Sequence, residues 1–593
     1  MSANFAAPWI RYVIFALVVA VFPTLAPNAY VINLGQEVAI LAIGAAGLNL
    51  LLGLSGQISL GQVGFFALAA YCTAILSARL SWPLWLTFPA ALVVAGLAGL
   101  VMGLVALRAR THFLAMATLA FGLIAAILAQ RWISLTGGSM GIAGVPLLNW
   151  GQFRAGPTNF FWTIGAALIL TQIVSDFTIE SRSGRILRSI KESESFAATV
   201  GVNAPLWRVG VFVLSAVLAG LSGAFFPHQS GFVSSDAFTL DRSLSLLIVV
   251  IVGGLGSRYG HLIGAVFVVL LGEAIAGLYE YANFIFGGLL LAVMLFLPRG
   301  IASLTTIVRR RGEGSAEGRL ESRSRGRLPS TLAPIADWEP GEPILLLDGV
   351  TKRYAGVTAV NDVSMVVKSG TVHALIGPNG AGKSSLINVI AGLTYADRGS
   401  IIFAERDVTR ASAYRRARLG IARTFQNLQL IGGLSVLENV MLGLPRRDKA
   451  VAYFLRWLGG RSFEAEQRNQ AFALLEFFGI GRYAALSPDE LPYGHRKLVE
   501  LARALAQQPR LILLDEPVAG LNEEEAVEIV QAVRSLRALG VTAVLVEHDM
   551  GFVMSLSDRI TVLDYGRKIA DGSPEEIRRD QSVINAYLGV PAS

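Results

Sequence analysis

A single cysteine, Cys72, stands among 593 residues, which excludes any intrachain disulfide; its place inside an apolar run makes it a small packing residue. Charge is scarce too, with 16% charged residues against a hydrophobic fraction of 53%, far from the composition of an ordinary soluble protein. The scarcity is uneven. Residues 12–300 hold nearly all the long apolar runs, whereas residues 343–593 read as a water-soluble domain, so the two halves are built for different solvents. A net charge of +8 does not signal nucleic acid, because four of those charges come from residues 309–327, seven arginines against Glu313, Glu317 and Glu321. That composition suits a solvated segment beside anionic lipid.

Arg11 followed by the apolar stretch 12–26 has the outline of a secretory signal, but apolar segments 38–54 and 58–78 follow almost at once. The first run is therefore read as a membrane span. Further segments at 84–107, 112–130, 160–177, 208–227, 243–256, 260–277 and 282–298 bring the total to roughly ten. Arg108 and Arg110 follow the fourth segment; Arg182, Arg185, Arg188 and Lys191 follow the sixth; Arg299 and Arg309 to Arg311 follow the tenth. This lysine and arginine excess on one side places those loops and both termini in the cytoplasm, while the loop 228–242, with Asp236, Asp241 and Arg242, lacks it. Glycines interrupt several segments, as in Gly53-Leu-Ser-Gly56, Gly137-Gly138 and Gly253-Gly254-Leu-Gly256. These fit either close helix packing or a path lined by broken helices.

Three regions follow. Residues 1–305 are expected to form a polytopic α-helical membrane domain. Residues 306–342, rich in arginine, glutamate, serine, glycine and proline, bury too little to fold alone and form a flexible basic linker. Over 343–593 short β-type runs alternate with helical patterns, Val372 to Ile376 then Lys383 to Ala391, and Leu511 to Leu514 then Glu523 to Leu539. Such alternation predicts a three-layer α/β domain.

Within that domain Gly377-Pro378-Asn379-Gly380-Ala381-Gly382-Lys383-Ser384-Ser385 has phosphate-loop spacing, follows an apolar strand and opens a helix. Glycines let backbone N–H groups turn toward phosphate oxygens, Lys383 reaches the β and γ phosphates of ATP, and the Ser384 hydroxyl ligates Mg2+. Leu511-Ile-Leu-Leu-Asp515-Glu516 puts two carboxylates at the carboxyl end of a strand, where ligands bind in α/β sheets. Asp515 suits the magnesium shell, and Glu516 is placed to polarise a water for attack on the γ-phosphate. Without the phosphate loop the pair would read as a solvated strand end.

Together with Leu491-Pro492-Tyr493-Gly494-His495, Gln426 in Arg-Thr-Phe-Gln and His548 in Val-Glu-His-Asp, these motifs resemble the ATPase of ABC transporters over 344–593. The resemblance implies an ABC ATPase domain in which two copies sandwich ATP, each lending its signature loop, here 491–495, to the other's phosphate loop. It further implies that Gln426 senses Mg2+ and the membrane domain, that His548 holds the γ-phosphate, and that Tyr354 stacks on adenine. Pro492 stands where the family's signature usually has serine, Tyr493 replaces a glycine, and Asn522 in Ala-Gly-Leu-Asn stands where many relatives have aspartate. These departures, with Leu-Asp-Tyr-Gly-Arg-Lys-Ile-Ala and Ile584-Asn-Ala-Tyr-Leu-Gly589, look like the ATPases of branched-chain amino acid importers.

The membrane half resembles the permeases of the same importers through Gly47 to Gln62, Leu135 to Gly141 and Val252-Gly-Gly-Leu-Gly-Ser. By that resemblance Ser183 to Gly201 is the loop that docks on the ATPase. What is implied is a fused subunit for ATP-driven import of branched-chain amino acids or related small solutes across the bacterial inner membrane. Its implied partners are a second permease, a second ATPase and a periplasmic solute-binding protein, in the lipid bilayer and without nucleic acid. Alternatives left open are import of urea, short amides or aromatic acids, a homodimeric exporter with six long helices, and a regulatory ATPase that transports nothing.

Overall fold

Each of the ten apolar segments is helical in the computed structural model. The helices are Trp9–Leu25, Ala29–Leu48, Gln62–Ala74, Leu84–Ala106, Thr111–Arg131, Pro157–Glu180, Ala204–Ser230, Leu240–Gly253, Gly260–Ala274 and Ala282–Phe296. A helix satisfies its own backbone, which is why apolar sequence bound for lipid takes this form. The structure describes residues 9–108, 111–147, 156–275, 281–297, 300–302, 338–445 and 463–588. Arg110, Arg299, Arg309 to Arg311, Gly589 and all but the end of the expected linker lie outside them. Among the described residues six helical stretches are long and apolar enough to cross a membrane: 29–54, 62–79, 84–106, 113–131, 157–180 and 204–230. The other four apolar helices run 14 to 17 residues.

The described residues divide into two units, one of 9–187 with 205–302 and the other of 188–204 with 338–445 and 463–588. In the first, the glycine-rich interruptions are real breaks. The helix from Ala29 passes into a π-helical turn, Asn49–Leu54, and Leu240–Gly253 ends before Gly260 opens the next helix. The two irregular stretches meet. Asn49 Nδ2 donates to Ser257 O at 2.9 Å, its Oδ1 accepts from the Gly256 N–H at 2.7 Å, and a Cβ at position 53 would lie 2.2 Å from Gly256 N. Only glycine at 53 lets the backbones approach so closely. Carbonyls at the end of Leu240–Gly253 are taken up by the returning chain, Ile301 N–H on Val252 O and Ala302 N–H on Gly253 O. Broken backbone is therefore satisfied inside protein, as a low-dielectric setting demands. Deeper in the unit, the fully buried Asp176 accepts from Tyr12 Oη at 2.9 Å and Gln172 Nε2 at 2.8 Å, with Arg258 Nε at 3.3 Å.

The second unit contains a six-stranded sheet and a four-stranded sheet. In chain order the strands are β1 Ile142–Ala143 and β2 Phe232–Val233, a small pair in the first unit, then β3 Pro343–Tyr354, β4 Val357–Lys368, β5 Val372–Ile376, β6 Arg398–Phe403, β7 Arg406–Asp407, β8 Ile421–Arg423, β9 Leu511–Asp515, β10 Thr542–Val546, β11 Arg559–Asp564 and β12 Arg567–Gly572. The larger sheet has the order β12-β11-β5-β10-β9-β8, the smaller β4-β3-β6-β7. Strands β5, β9 and β10 are buried at every position, and β10 lies parallel between the other two. A strand hidden on both faces reads as a largely apolar run, which is how all three are written apart from His373, Asp515 and Thr542. Because they run parallel, their carboxyl ends open at one edge, where Gly377, Glu516 and Glu547 follow directly.

Candidate nucleotide site

The phosphate loop leaves β5 at Gly377, whose φ of +150° an L side chain rarely adopts, and a Cβ there would lie 2.1 Å from Leu563 O. The loop closes into the helix Lys383–Ala391, with Gly382 at its N-cap. Lys383 folds back over the loop, Nζ donating to Gly377 O at 2.7 Å and Pro378 O at 2.9 Å. Its burial pushes the ammonium pKa down, while Glu516 and Asp515 nearby oppose that shift. Ser384 is exposed at the first turn of the helix, where backbone N–H groups have no intrahelical partner.

Asp515 ends β9 and is 4% exposed. Its Oδ2 faces Arg423 NH2 at 3.0 Å, while Oδ1 is buried without a hydrogen-bond partner. A carboxylate oxygen left bare beside a phosphate loop, with a serine hydroxyl and a glutamine amide, is a donor set that fits Mg2+, which takes few protein oxygens and completes its shell with phosphate and water. Arg423 was not singled out in the sequence. It closes β8, whose parallel register against β9 sets Arg423 opposite Leu513. Its side chain reaches both Asp515 and Asn388 Oδ1, the latter at 2.6 Å.

Glu516 follows in a left-handed backbone conformation, φ +49°, held by its N–H on Val546 O at 2.9 Å and by Lys497 Nζ on its carbonyl at 3.0 Å. That turn aims its carboxylate at Gln426, whose Nε2 donates to Glu516 Oε2 at 2.9 Å. After β10, Glu547 is fully buried and accepts from the Val518 and His548 N–H groups at 2.9 and 3.2 Å. Burial raises its pKa. His548 Nδ1 lies 3.7 Å from Glu547 Oε2, and its side chain is 62% exposed. Glu547, like Lys497, was missed in the sequence reading; an acid directly before a candidate phosphate-sensing histidine was the available signal.

Other expected residues make their contacts elsewhere in the domain. Tyr354 ends β3 half exposed, its hydroxyl 3.5 Å from Thr394 Oγ1 and its ring 5.3 Å from Lys352 Nζ. Leu491 is buried, Pro492 precedes the helix Tyr493–Ala506, and Tyr493 is exposed. The Gly494 N–H donates to Glu525 Oε1 at 3.1 Å, and the His495 ring packs 4.9 Å from Tyr483. Glu525 also closes a capping box with Asn522, which opens the helix Glu523–Ala538. Asparagine caps as well as aspartate, so Asn522 costs this helix nothing.

The segment 188–204 belongs to the second unit. Ser193 caps the short helix Glu194–Thr199, and Phe196 is 1% exposed with Arg503 4.0 Å over its ring. Arg503 also donates to Gln429 O at 2.6 Å and pairs with Glu500 at 3.2 Å. Glu500 is buried beside Arg503, and its burial raises its pKa. Arg418 donates to Gly201 O at 3.3 Å.

Residues 30–295 match the family described as branched-chain amino acid transport system, permease component; residues 360–519 match the ABC transporter family, and residues 567–593 the branched-chain amino acid ATP-binding cassette transporter family. The chain is 37% identical to the high-affinity branched-chain amino acid transport ATP-binding protein LivG of Salmonella typhimurium over 251 residues, 42% of this chain and 98% of that protein. It is 37% identical to BraF of Pseudomonas aeruginosa over 250 residues, again 42% of this chain and 98% of the relative. A solved nucleotide-free ATP-binding cassette from an ABC transporter is 34% identical, with a TM-score of 0.37, covering 42% of this chain and 99% of that one.

Fold, site and matches together define a nucleotide-binding, ATP-hydrolysing membrane transport protein that carries permease and ATPase in one polypeptide. The chain belongs to the branched-chain amino acid ABC transporter family. The exporter alternative falls with the permease match over 30–295.

Proposed function

We propose that the chain imports branched-chain amino acids across the bacterial inner membrane, with residues 1–305 as permease, 306–342 as linker and 343–593 as ATPase. The observation that carries this reading is the convergence of Lys383, Asp515, Glu516 and Gln426 at one sheet edge of a chain whose other half matches a permease. The loop 377–385 cradles the ATP phosphates, and Ser384, Gln426 and Asp515 hold Mg2+, which neutralises phosphate charge when bound. Glu516 orients and deprotonates the attacking water, and His548 contacts the γ-phosphate. Tyr354 stacks on adenine, and residues 491–495 serve the phosphate loop of a second ATPase. Pro492, lacking a hydroxyl there, makes the two ATP sites unequal.

A second permease, a second ATPase and a periplasmic solute-binding protein complete the transporter. The experiment is calorimetric titration of the solute-binding protein that co-purifies with the chain. Leucine, isoleucine and valine are expected to bind; binding of urea, short amides or aromatic acids in their place overturns the substrate assignment and leaves the ATP site untouched.

A further inference from the structure

One buried side chain holds both the turn that follows Glu516 and the backbone that leaves β10. Glu547 directly follows β10 and has no exposed surface. Its Oε1 accepts from the Val518 N–H at 2.9 Å and its Oε2 from the His548 N–H at 3.2 Å, and His548 Nδ1 lies 3.7 Å from Oε2. Val518 stands two residues after Glu516 in a tight turn, with the Ala519 N–H on Glu516 O at 3.3 Å and the Leu521 N–H on Val518 O at 3.2 Å. The residue before Glu547 grips the same turn, since Val546 O takes the Glu516 N–H at 2.9 Å. A carboxylate buried from water is costly unless hydrogen bonds satisfy it, and here each oxygen serves a different segment of chain.

We infer that Glu547 is a positioning residue for ATP hydrolysis, its two carboxylate oxygens locking the spacing between the turn that aims Glu516 and the backbone that carries His548. Held by one rigid group, the two side chains meet the γ-phosphate together, and a small misplacement of either slows the reaction. The hydrogen bonds of Glu547 go to Val518 and His548 rather than to the loop 377–385 that grips ATP, so the clamp acts on kcat and leaves KM alone. The inference rests on reading Glu516 as the base and His548 as the γ-phosphate contact. His548→Ala tests that reading separately: parental kcat in that variant overturns the reading of the site, whereas parental kcat in Glu547→Gln beside an impaired His548→Ala overturns the inference alone.

The experiment measures steady-state ATP hydrolysis by the assembled transporter carrying Glu547→Gln, His548→Ala or both, with thermal-unfolding midpoints alongside. Glu547→Gln keeps the size but offers one acceptor oxygen where two are used, so kcat is expected to fall about tenfold with KM for ATP within about twofold of the parent. Because Glu547 acts in part through His548, Glu547→Gln is expected to cost only about twofold more in a chain already carrying His548→Ala. Where Glu547→Gln lowers the midpoint, Glu547→Asp takes its place: it keeps the charge on a stem too short to serve both amides and is expected to show the same split between kcat and KM. An unchanged kcat, a loss seen in KM instead, or a full tenfold cost repeated in the His548→Ala chain overturns the inference.

Discussion

Glu516 occupies a backbone conformation that non-glycine residues seldom adopt, and such strain persists only where surrounding bonds enforce it. Here the Val546 carbonyl and the Lys497 ammonium do so, which turns the carboxylate from the strand toward Gln426. Replacing Glu516 by Gln keeps shape and, on the proposed role, removes the base, so phosphate release is expected to fall by about 100-fold or more while ATP still binds. Arg423→Ala acts on stability. The side chain of its partner Asp515 is buried, and stranding a buried carboxylate costs about 3–5 kcal/mol, read as a lowered unfolding midpoint of the full chain in detergent. Burial also gives Lys383 a lower pKa than the 10.5 of a free lysine. On the proposed role its charged form binds phosphate, so kcat/KM is expected to drop as pH rises through a midpoint below 10.5; a limb at or above that value contradicts the assignment. Much of this site was legible, because the phosphate loop, Asp-Glu and the glutamine are contiguous motifs with fixed chemistry. Arg423 and Lys497 were not, since each acts through parallel strand register or a contact from a distant helix that spacing along the chain does not encode.

At the scale of elements, the helix Tyr493–Ala506 ties several parts together. Lys497 holds Glu516, and Arg503 holds the Gln429 carbonyl three residues after Gln426 while it covers Phe196. The segment bearing Phe196 runs between the permease helices Pro157–Glu180 and Ala204–Ser230, so chain connectivity leads from this contact into the membrane part. Phe196→Ala is expected to leave ATP hydrolysis within about twofold yet reduce uptake about tenfold, a coupling loss of ~1.4 kcal/mol. Equal losses in both would show a merely structural role. In the permease, Gly53→Ala sets a methyl 2.2 Å from Gly256 N and is expected to destabilise the fold by about 1–3 kcal/mol, measured as a loss of monodisperse protein in detergent. Gly210→Ala, with nothing within 4 Å, is the matched control and leaves yield unchanged. The sequence showed where these helices break, but the Asn49 clamp joins positions more than 200 residues apart and no local pattern announces it.

For the molecule as a whole, fusing permease to ATPase fixes their stoichiometry and raises the local concentration of one beside the other. On the proposed function, closure of two ATPase domains around ATP rocks two membrane domains so that a central site changes the side it faces, and this polypeptide would supply half of each pair, with Pro492 and Tyr493 giving it one role of an unequal couple. The central claim is ATP-driven import. Its most direct measurement is uptake of radiolabelled leucine by proteoliposomes that hold the chain with its second permease and second ATPase, with solute-binding protein outside and ATP inside. The account predicts accumulation against a gradient that requires both ATP and the solute-binding protein and disappears in Glu516→Gln. Uptake that continues in Glu516→Gln, or hydrolysis by a stable homodimer of the chain that exports leucine without partners, would contradict it.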